Sequence, residues 1–176
     1  MTAADDKALQ DSFRQAMRRV ATTVNIISAQ SGTERHGTTA TSVASISMEP
    51  PSLLVCLNRT SRLHDFLIKQ DRFCVNVLHT DNLETSKAFS DPGMGADRFN
   101  RGDWRTGPDG TPYLADAQAI LFCVKEKEIA YGSHTIFIGR VLEARARDDV
   151  SPLLYRDGRY SASVPLGLAR NGSAIK

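Results

Sequence analysis

The stretch from Arg35 to Asn58, RHGTTATSVASISMEPPSLLVCLN, gathers groups able to hold a polar ligand. Thr38, Thr39, Thr41, Ser42, Ser45 and Ser47 bring hydroxyls that both donate and accept. Large side chains are few there, so backbone N–H groups stay within reach of whatever comes close. Such a stretch cannot itself be a core. The apolar run Leu53-Leu54-Val55-Cys56-Leu57, after the Pro50-Pro51 corner, reads as a buried strand that would hold it in place. Just beyond, Arg59 supplies positive charge and Ser61 stands at an expected helix N-terminus, where anions are favoured. A structural reading stands beside this one: Ser and Thr often bond only to local backbone, and Arg59 can simply face solvent.

Histidines and cysteines are the other candidates. Cys56, Cys74 and Cys123 are widely spaced, and no CxxC or Cys/His pair has zinc-ligand spacing. Each lies in an apolar run, so they read as buried free thiols, which fits a reducing, cytoplasmic setting. His36 and His64 read as solvated or structural; His79 follows a strand and can approach a phosphate. The sequence has no GxGxxG after a strand, no P-loop, no HExxH, no GxSxG and no distinct carboxylate pair.

The elements that must position these residues are mainly strands. Residues 5–18 read as a helix whose stripe Leu9, Phe13, Met17 is expected to pack on the domain's own core. Strands are expected over 20–29, from Glu34 onward, over 53–57 and over 72–78, with helices over 61–70 and 82–89. Residues 90–111 hold five glycines and two prolines and read as a long loop. Two long strands, 117–130 and 135–147, meet at Tyr131-Gly132-Ser133-His134, and Asp157-Gly158 suits a last hairpin. The tail from Leu166 is expected to be loosely ordered. Short connections favour antiparallel pairing, hence a β-barrel with peripheral helices rather than a doubly wound sheet.

At 176 residues, with 41% hydrophobic and 24% charged, the chain suits one domain, 1–176. A formal net charge of +2 with dispersed basic residues argues against nucleic acid. No apolar run approaches the ~20 residues that span a bilayer, and MTAADDKALQ lacks a signal peptide's apolar core.

Three segments in order resemble the flavin reductase family, the short-chain NAD(P)H:flavin oxidoreductases that serve two-component monooxygenases. They are Gly37-Thr-Thr-Ala-Thr-Ser42 with Ser45-Ile-Ser47, Pro50-Pro51 and Leu53–Asn58; Gly132-Ser133-His134 with Ile136–Val141; and Pro152-Leu-Leu-Tyr155 with Gly158-Arg-Tyr160. The likeness runs from about residue 10 to 163. It implies an FMN-binding split β-barrel with peripheral helices, a homodimer, FMN or FAD as cofactor, NADH or NADPH as co-substrate, and a separate oxygenase that receives reduced flavin. By motif position it implies that Thr39, Ala40, Thr41 and Ser42 face the isoalloxazine edge. Ser45, Ile46 and Ser47 follow the ring and ribityl chain, within the motif that also contains Cys56. Asn58, Arg59 and Ser61 reach the phosphate. Arg98 and Phe99 lie near the flavin, Tyr160 meets nicotinamide or the dimer partner, and His134 positions the reactants. Ser133 stands where the family often has Asp. Two other readings remain open here: a tight flavoprotein reducing a corrinoid or ferric complex, and a non-enzymatic redox module.

Overall fold

The computed structural model describes residues 3–166. In chain order the elements are α1 (Ala3–Met17), β1 (Thr22–Thr23), β2 (Asn25–Ser31), β3 (Glu34–Ala40), β4 (Val43–Met48), β5 (Pro51–Asn58), α2 (Arg62–Lys69) and β6 (Arg72–Val77). There follow α3 (Leu83–Ser90), β7 (Trp104–Thr106), β8 (Pro112–Leu114), β9 (Ala119–Tyr131), β10 (His134–Ala146), β11 (Leu153–Arg156) and β12 (Arg159–Ala162). Seven strands form one antiparallel sheet in the order β3-β2-β6-β9-β10-β5-β4.

That order sets the shape. β3 and β4 are the two edges, yet only Thr41 and Ser42 join them. Laid flat, seven strands at about 4.8 Å spacing would part the edges by ~29 Å. The three Cα steps from Ala40 to Val43 span at most ~11 Å. The sheet must curl until its edges face each other. Because β3 and β4 do not pair, the barrel stays split at that seam. The fold is mainly β, as expected.

Two apolar clusters hold the sheet. One packs Leu63 and Leu67 of α2 against Ile27, Val55, Leu57, Phe73 and Phe137. The other sets Phe89 of α3 with Phe99 against Val24, Ile26, Leu114 and Ile120. Ile26 and Ile27, adjacent in β2, therefore serve opposite faces. Each such fully buried side chain contributes about 1.5–3 kcal/mol. Ser61 caps α2 by accepting from the His64 N–H at 3.2 Å.

Three expectations are corrected. Residues 5–20 are all exposed; Leu9, Phe13 and Met17 are 60%, 65% and 50% accessible, so the apolar stripe of α1 does not pack on the core. Its periodicity is real, but periodicity says only that a face wants burial, not against what. The strand expected over 20–29 is broken: β1 joins β11 and β12 in a second sheet, while Asn25 starts β2 and donates its side-chain amide to Thr23 and Ala40 carbonyls at 3.0 and 3.1 Å. Residues 90–111 are not a bare loop. Pro92–Asn100 is 3-10 helical and β7 pairs with β8, anchored where Phe99 and Trp104 pack on Phe89 with ring centroids 5.0 and 4.9 Å away. A few large aromatics supply the burial that aliphatic patterning did not advertise. No helix among the described residues is long and apolar enough to cross a membrane. The tail from residue 167 lies outside the described residues.

Gly139 of β10 sits under Phe73; a Cβ there would lie 2.5 Å from Cζ of that ring. Gly139→Ala is expected to cost about 1–3 kcal/mol, read as a fall of about 2–4 °C in Tm per kcal/mol. An unchanged Tm would refute this packing.

Candidate functional site

The seam of the barrel opens into a cleft of about 290 Å³ lined by Thr38, Thr39, Ala40, Thr41, Ser42, Cys56, Leu57, Asn58 and Ser61. Strand alternation explains the composition. Leu53, Val55 and Leu57 of β5 are buried, so Cys56 and Asn58 belong to the other face. The Cys56 N–H donates to the Ser42 carbonyl at 3.0 Å and ties the β3–β4 link down onto β5. The unpaired edges of β3 and β4 also present backbone N–H and C=O groups along the seam. An isoalloxazine edge alternates donors and acceptors, so this donor set fits a flavin ring. On the other side of the same strand, Thr39, Ala40 and Thr41 line a second hollow of about 370 Å³ with Ser90, Tyr155 and Tyr160. There Thr39 Oγ1 meets Ser90 Oγ at 3.1 Å, and the Tyr160 hydroxyl meets Ser86 Oγ at 3.0 Å.

Past Ser61 the cleft runs into a groove of about 600 Å³, with Thr38 and Ser61 common to both. Arg35, His36, Arg62 and Arg98 line it, against Glu34, which is paired to Arg62. Asn58 Oδ1 accepts from the Thr60 N–H at 2.9 Å and hydroxyl at 3.0 Å, shaping the turn before α2. Arg98 is only 7% exposed; it donates to the Gly37, Gly95 and Asp91 carbonyls at 2.9, 2.7 and 3.3 Å. Burial lowers its pKa, with nearby Asp91 opposing. Burial, then Arg98 and Arg62, pulls His36 down to about 4, with Glu34 opposing.

Two-strand register places the hairpin histidine. His134 is opposite Asn58 on β5 and opposite Tyr131 on β9, so its side chain shares the face of Asn58 and Cys56. Its Nδ1 is 2.9 Å from Ser133 Oγ. Arg59 holds the hairpin: its backbone N–H donates to the Ser133 carbonyl at 3.0 Å and its guanidinium to the Gly132 carbonyl. His64 adds a second tie, Nε2 to Thr135 Oγ1 at 3.0 Å.

The expected site residues thus fall into groups. Thr39, Ala40, Thr41, Ser42, Cys56, Asn58 and Ser61 meet in the cleft. Arg98 lines the groove and Tyr160 the adjoining hollow. Ser45 and Ser47 line a separate apolar groove that shares only Thr41 with the cleft, and Ile46 is exposed on β4. Phe99 is 4% exposed within the aromatic cluster. His79 caps the turn at Thr80–Asn82, its Nδ1 accepting from the Asp81 N–H at 3.1 Å. Sequence reasoning passed over Arg62 and Ser90, and it read His36 as solvated or structural, whereas His36 lines the groove. Arg62, a cation in the first turn of α2 beside its cap, was findable; Ser90 carried no signal.

His36 is expected to titrate near pH 4 by NMR. Its folded pKa lies below the ordinary value of about 6.5, so between those values the unfolded chain binds the proton first. Its contribution to stability is whole above pH 6.5 and is lost as pH falls toward 4. Arg98→Lys or Arg62→Ala should move the titration midpoint; Arg62→Ala should raise it. A midpoint near 6.5 in the unaltered protein would refute the cationic groove.

The Flavin reductase like domain matches residues 17–163. The FADH(2)-dependent resorcinol hydroxylase, reductase component, of Rhizobium sp. strain MTP-10005 is 44% identical over 160 residues, covering 90% of this chain and 89% of its own. The FMN reductase (NADH) RutF of Pseudomonas syringae is 34% identical, covering 86% of this chain and 85% of its own. Among solved structures, the Streptomyces globisporus NADH:FAD oxidoreductase in complex with NAD and FAD fragments superposes with a TM-score of 0.82 at 30% identity, covering 89% of this chain and 93% of that one. The styrene monooxygenase flavin reductase of Pseudomonas putida gives 0.79 at 31%, covering 87% and 97%. A cleft at an unpaired barrel seam, a cationic groove beyond it and a match across most of the chain converge: the protein belongs to the flavin reductase-like domain family.

Proposed function

We propose that this chain is an NAD(P)H:flavin oxidoreductase, one domain over 1–176, that passes hydride to FMN or FAD and supplies reduced flavin to a separate oxygenase. The observation that carries the reading is the seam cleft, with His134 one strand away from Asn58 on the same face. When bound, the flavin supplies the hydride acceptor. The chain's own residues do the rest. Thr39 to Ser42 and the strand edges orient the ring. The turn from Asn58 to Arg62, with Ser61 at a helix N-terminus, receives the phosphate. Arg59 keeps the hairpin in place, and His134 positions the reactants with a hydrogen bond, since hydride transfer needs no protein acid or base. Tyr160, across Thr39 to Thr41 in the adjoining hollow, suits the nicotinamide side. Cys56, Cys74 and Cys123 form no disulfide with one another, which suits a cytoplasmic setting.

The same reading includes a homodimer. The stripe Leu9, Phe13, Met17 stands exposed, and an apolar groove of about 610 Å³ lies among Val43, Met48, Leu53, Val77 and Val141. Two unpartnered apolar surfaces on one chain support mutual burial in a pair. Phe13→Glu is expected to shift sedimentation toward the monomer; a chain already monomeric at micromolar concentration would refute the dimer.

The decisive assay follows NADH and NADPH oxidation with and without FMN or FAD. Turnover that requires added flavin is expected, and no oxidation of either nucleotide would overturn the reading. His134→Ala is expected to lower hydride transfer about 10- to 100-fold through lost positioning, with the melting curve intact. An unchanged rate removes His134 from the site.

A further inference from the structure

One wall of the hollow beside Thr39 to Thr41 is made by Tyr155, Gly158 and Tyr160, all from the β11–β12 hairpin. That hairpin belongs to the small sheet with β1, not to the seven-stranded sheet. Its root meets the ends of β6 and β2. The Leu153 N–H donates to the Leu78 carbonyl at 2.8 Å, and the Val24 N–H donates to the Leu153 carbonyl at 2.9 Å. At the tip, Arg18 Nε donates to Asp157 Oδ1 at 3.1 Å, but both side chains are exposed and solvent screens the pair. Where this wall stands is therefore decided mainly at the root, with help from the Tyr160 hydroxyl on Ser86 Oγ.

Beside the root lies a polar cluster that the seam cleft does not use. His79, next to Leu78, is 5% exposed and forms a bridge with Pro152, next to Leu153. Its Nδ1 accepts from the Asp81 N–H at 3.1 Å, so in the neutral ring the proton is on Nε2. That Nε2 is buried, has no aligned hydrogen-bond partner and lies 3.2 Å from Asp149 Oδ2. Arg147 grips Asp149, Nε to Oδ1 at 2.8 Å and Nη2 to Oδ2 at 2.9 Å, and holds its carboxyl below the usual range. Gln118 fixes the same link: its Nε2 donates to the Asp149 carbonyl at 2.9 Å, and its Oε1 accepts from the Ser151 N–H at 2.7 Å. Thr80 meets Ser151 twice, N–H to carbonyl at 2.9 Å and Oγ1 to Oγ at 3.0 Å. Residue type shows what His79 adds. A cap needs only a short acceptor, and Asn, Asp and Ser are the preferred ones. The imidazole brings a second polar atom on the far side of its ring, and that atom is the one facing Asp149. His79 thus spans from the turn at Thr80–Asn82 to the link between β10 and β11.

We propose that His79 and Asp149 are positioning residues for the nicotinamide nucleotide: their clasp sets where Tyr155 and Tyr160 stand across the hollow from Thr39 to Thr41. The inference rests on the reading of that hollow as the nicotinamide side. A shifted root carries both tyrosines with it, because they pair across the hairpin with ring centroids 5.3 Å apart. The seam cleft is lined from β3, its link to β4, β5 and the cap of α2. No hydrogen bond joins His79 or Asp149 to any of these among the described residues. The clasp therefore acts on nucleotide binding and leaves flavin binding alone.

The full chain with saturating flavin is assayed against whichever of NADH and NADPH it oxidises, beside His79→Asn, Asp149→Ala and the double variant. His79→Asn keeps a capping side chain and loses the reach to Asp149. Each single variant is expected to raise the KM for the nucleotide about 3- to 10-fold while kcat and the flavin dissociation constant stay within about two-fold. The double variant is expected to match the worse single, because both changes cut one link. A KM left unchanged by Asp149→Ala overturns the proposal; that side chain is 61% exposed, so this arm stands even if His79→Asn does not fold. A KM that rises only in step with the flavin dissociation constant shows general loosening and overturns it, as do additive effects in the double variant. No oxidation of either nucleotide by the unaltered chain sinks the oxidoreductase reading and this inference with it, and is seen before any variant is compared.

Discussion

The two-residue link between β3 and β4 is the constraint on which the rest depends. Thr41 and Ser42 join strands that lie at opposite edges of a seven-stranded sheet. A link that short is compatible with that strand order only if the sheet curls. Curling without pairing leaves two strand edges facing each other, with backbone donors and acceptors unspent. In most proteins such edges are covered or charged, because they invite aggregation. Here small hydroxylated residues line them, and the Cys56 N–H fixes the link at one point. The exposed polar seam is the price of the topology and also the candidate site.

A cleft at a seam would be of little use if its walls moved independently. Three ties prevent that. Arg59 joins the turn after β5 to the tip of the β9–β10 hairpin, His64 joins α2 to Thr135 one residue below that tip, and Ser61 caps α2. These side chains come from the start of α2 and the turn before it, so the phosphate end of the cleft and the hairpin histidine are positioned by one local structure. Arg59 looked from sequence like a phosphate ligand. In the fold its guanidinium is turned to the Gly132 carbonyl, and Arg62 and Arg98 line the groove instead.

Electrostatics follow from the same arrangement. β3 brings Arg35 and His36 beside Arg62 of α2, and the segment after α3 delivers Arg98 behind them. Partial burial and the crowding of cations lower the His36 pKa, and among the described residues Arg98 donates to the Gly37, Gly95 and Asp91 carbonyls. Of Arg35, His36, Arg62 and Arg98, only the first two are near each other in sequence. The segment 90–111 matters because it holds Arg98 there, and Phe99 next to it locks the segment to Phe89.

Local sequence determined much of this protein. The apolar run Leu53–Leu57 marked a strand, Ser61 marked a helix start, and Gly132-Ser133 marked the hairpin that carries His134, whereas Cys56, expected as a buried thiol, proved half-buried on the face opposite Val55. These features are legible because side-chain period, capping and turn chemistry act over a few residues. The likeness of three ordered segments carried the family. Tertiary structure alone decided the rest. Ser45 and Ser47 share the hydroxyl pattern of Thr39 to Ser42, yet the chain crosses the seam between them, and β4 turns its serines toward another groove. The apolar stripe of α1 promised burial without naming a partner, and the described chain leaves it exposed. Which residues face one cleft depends on strand order and register, and these are set by long-range burial that no short stretch encodes.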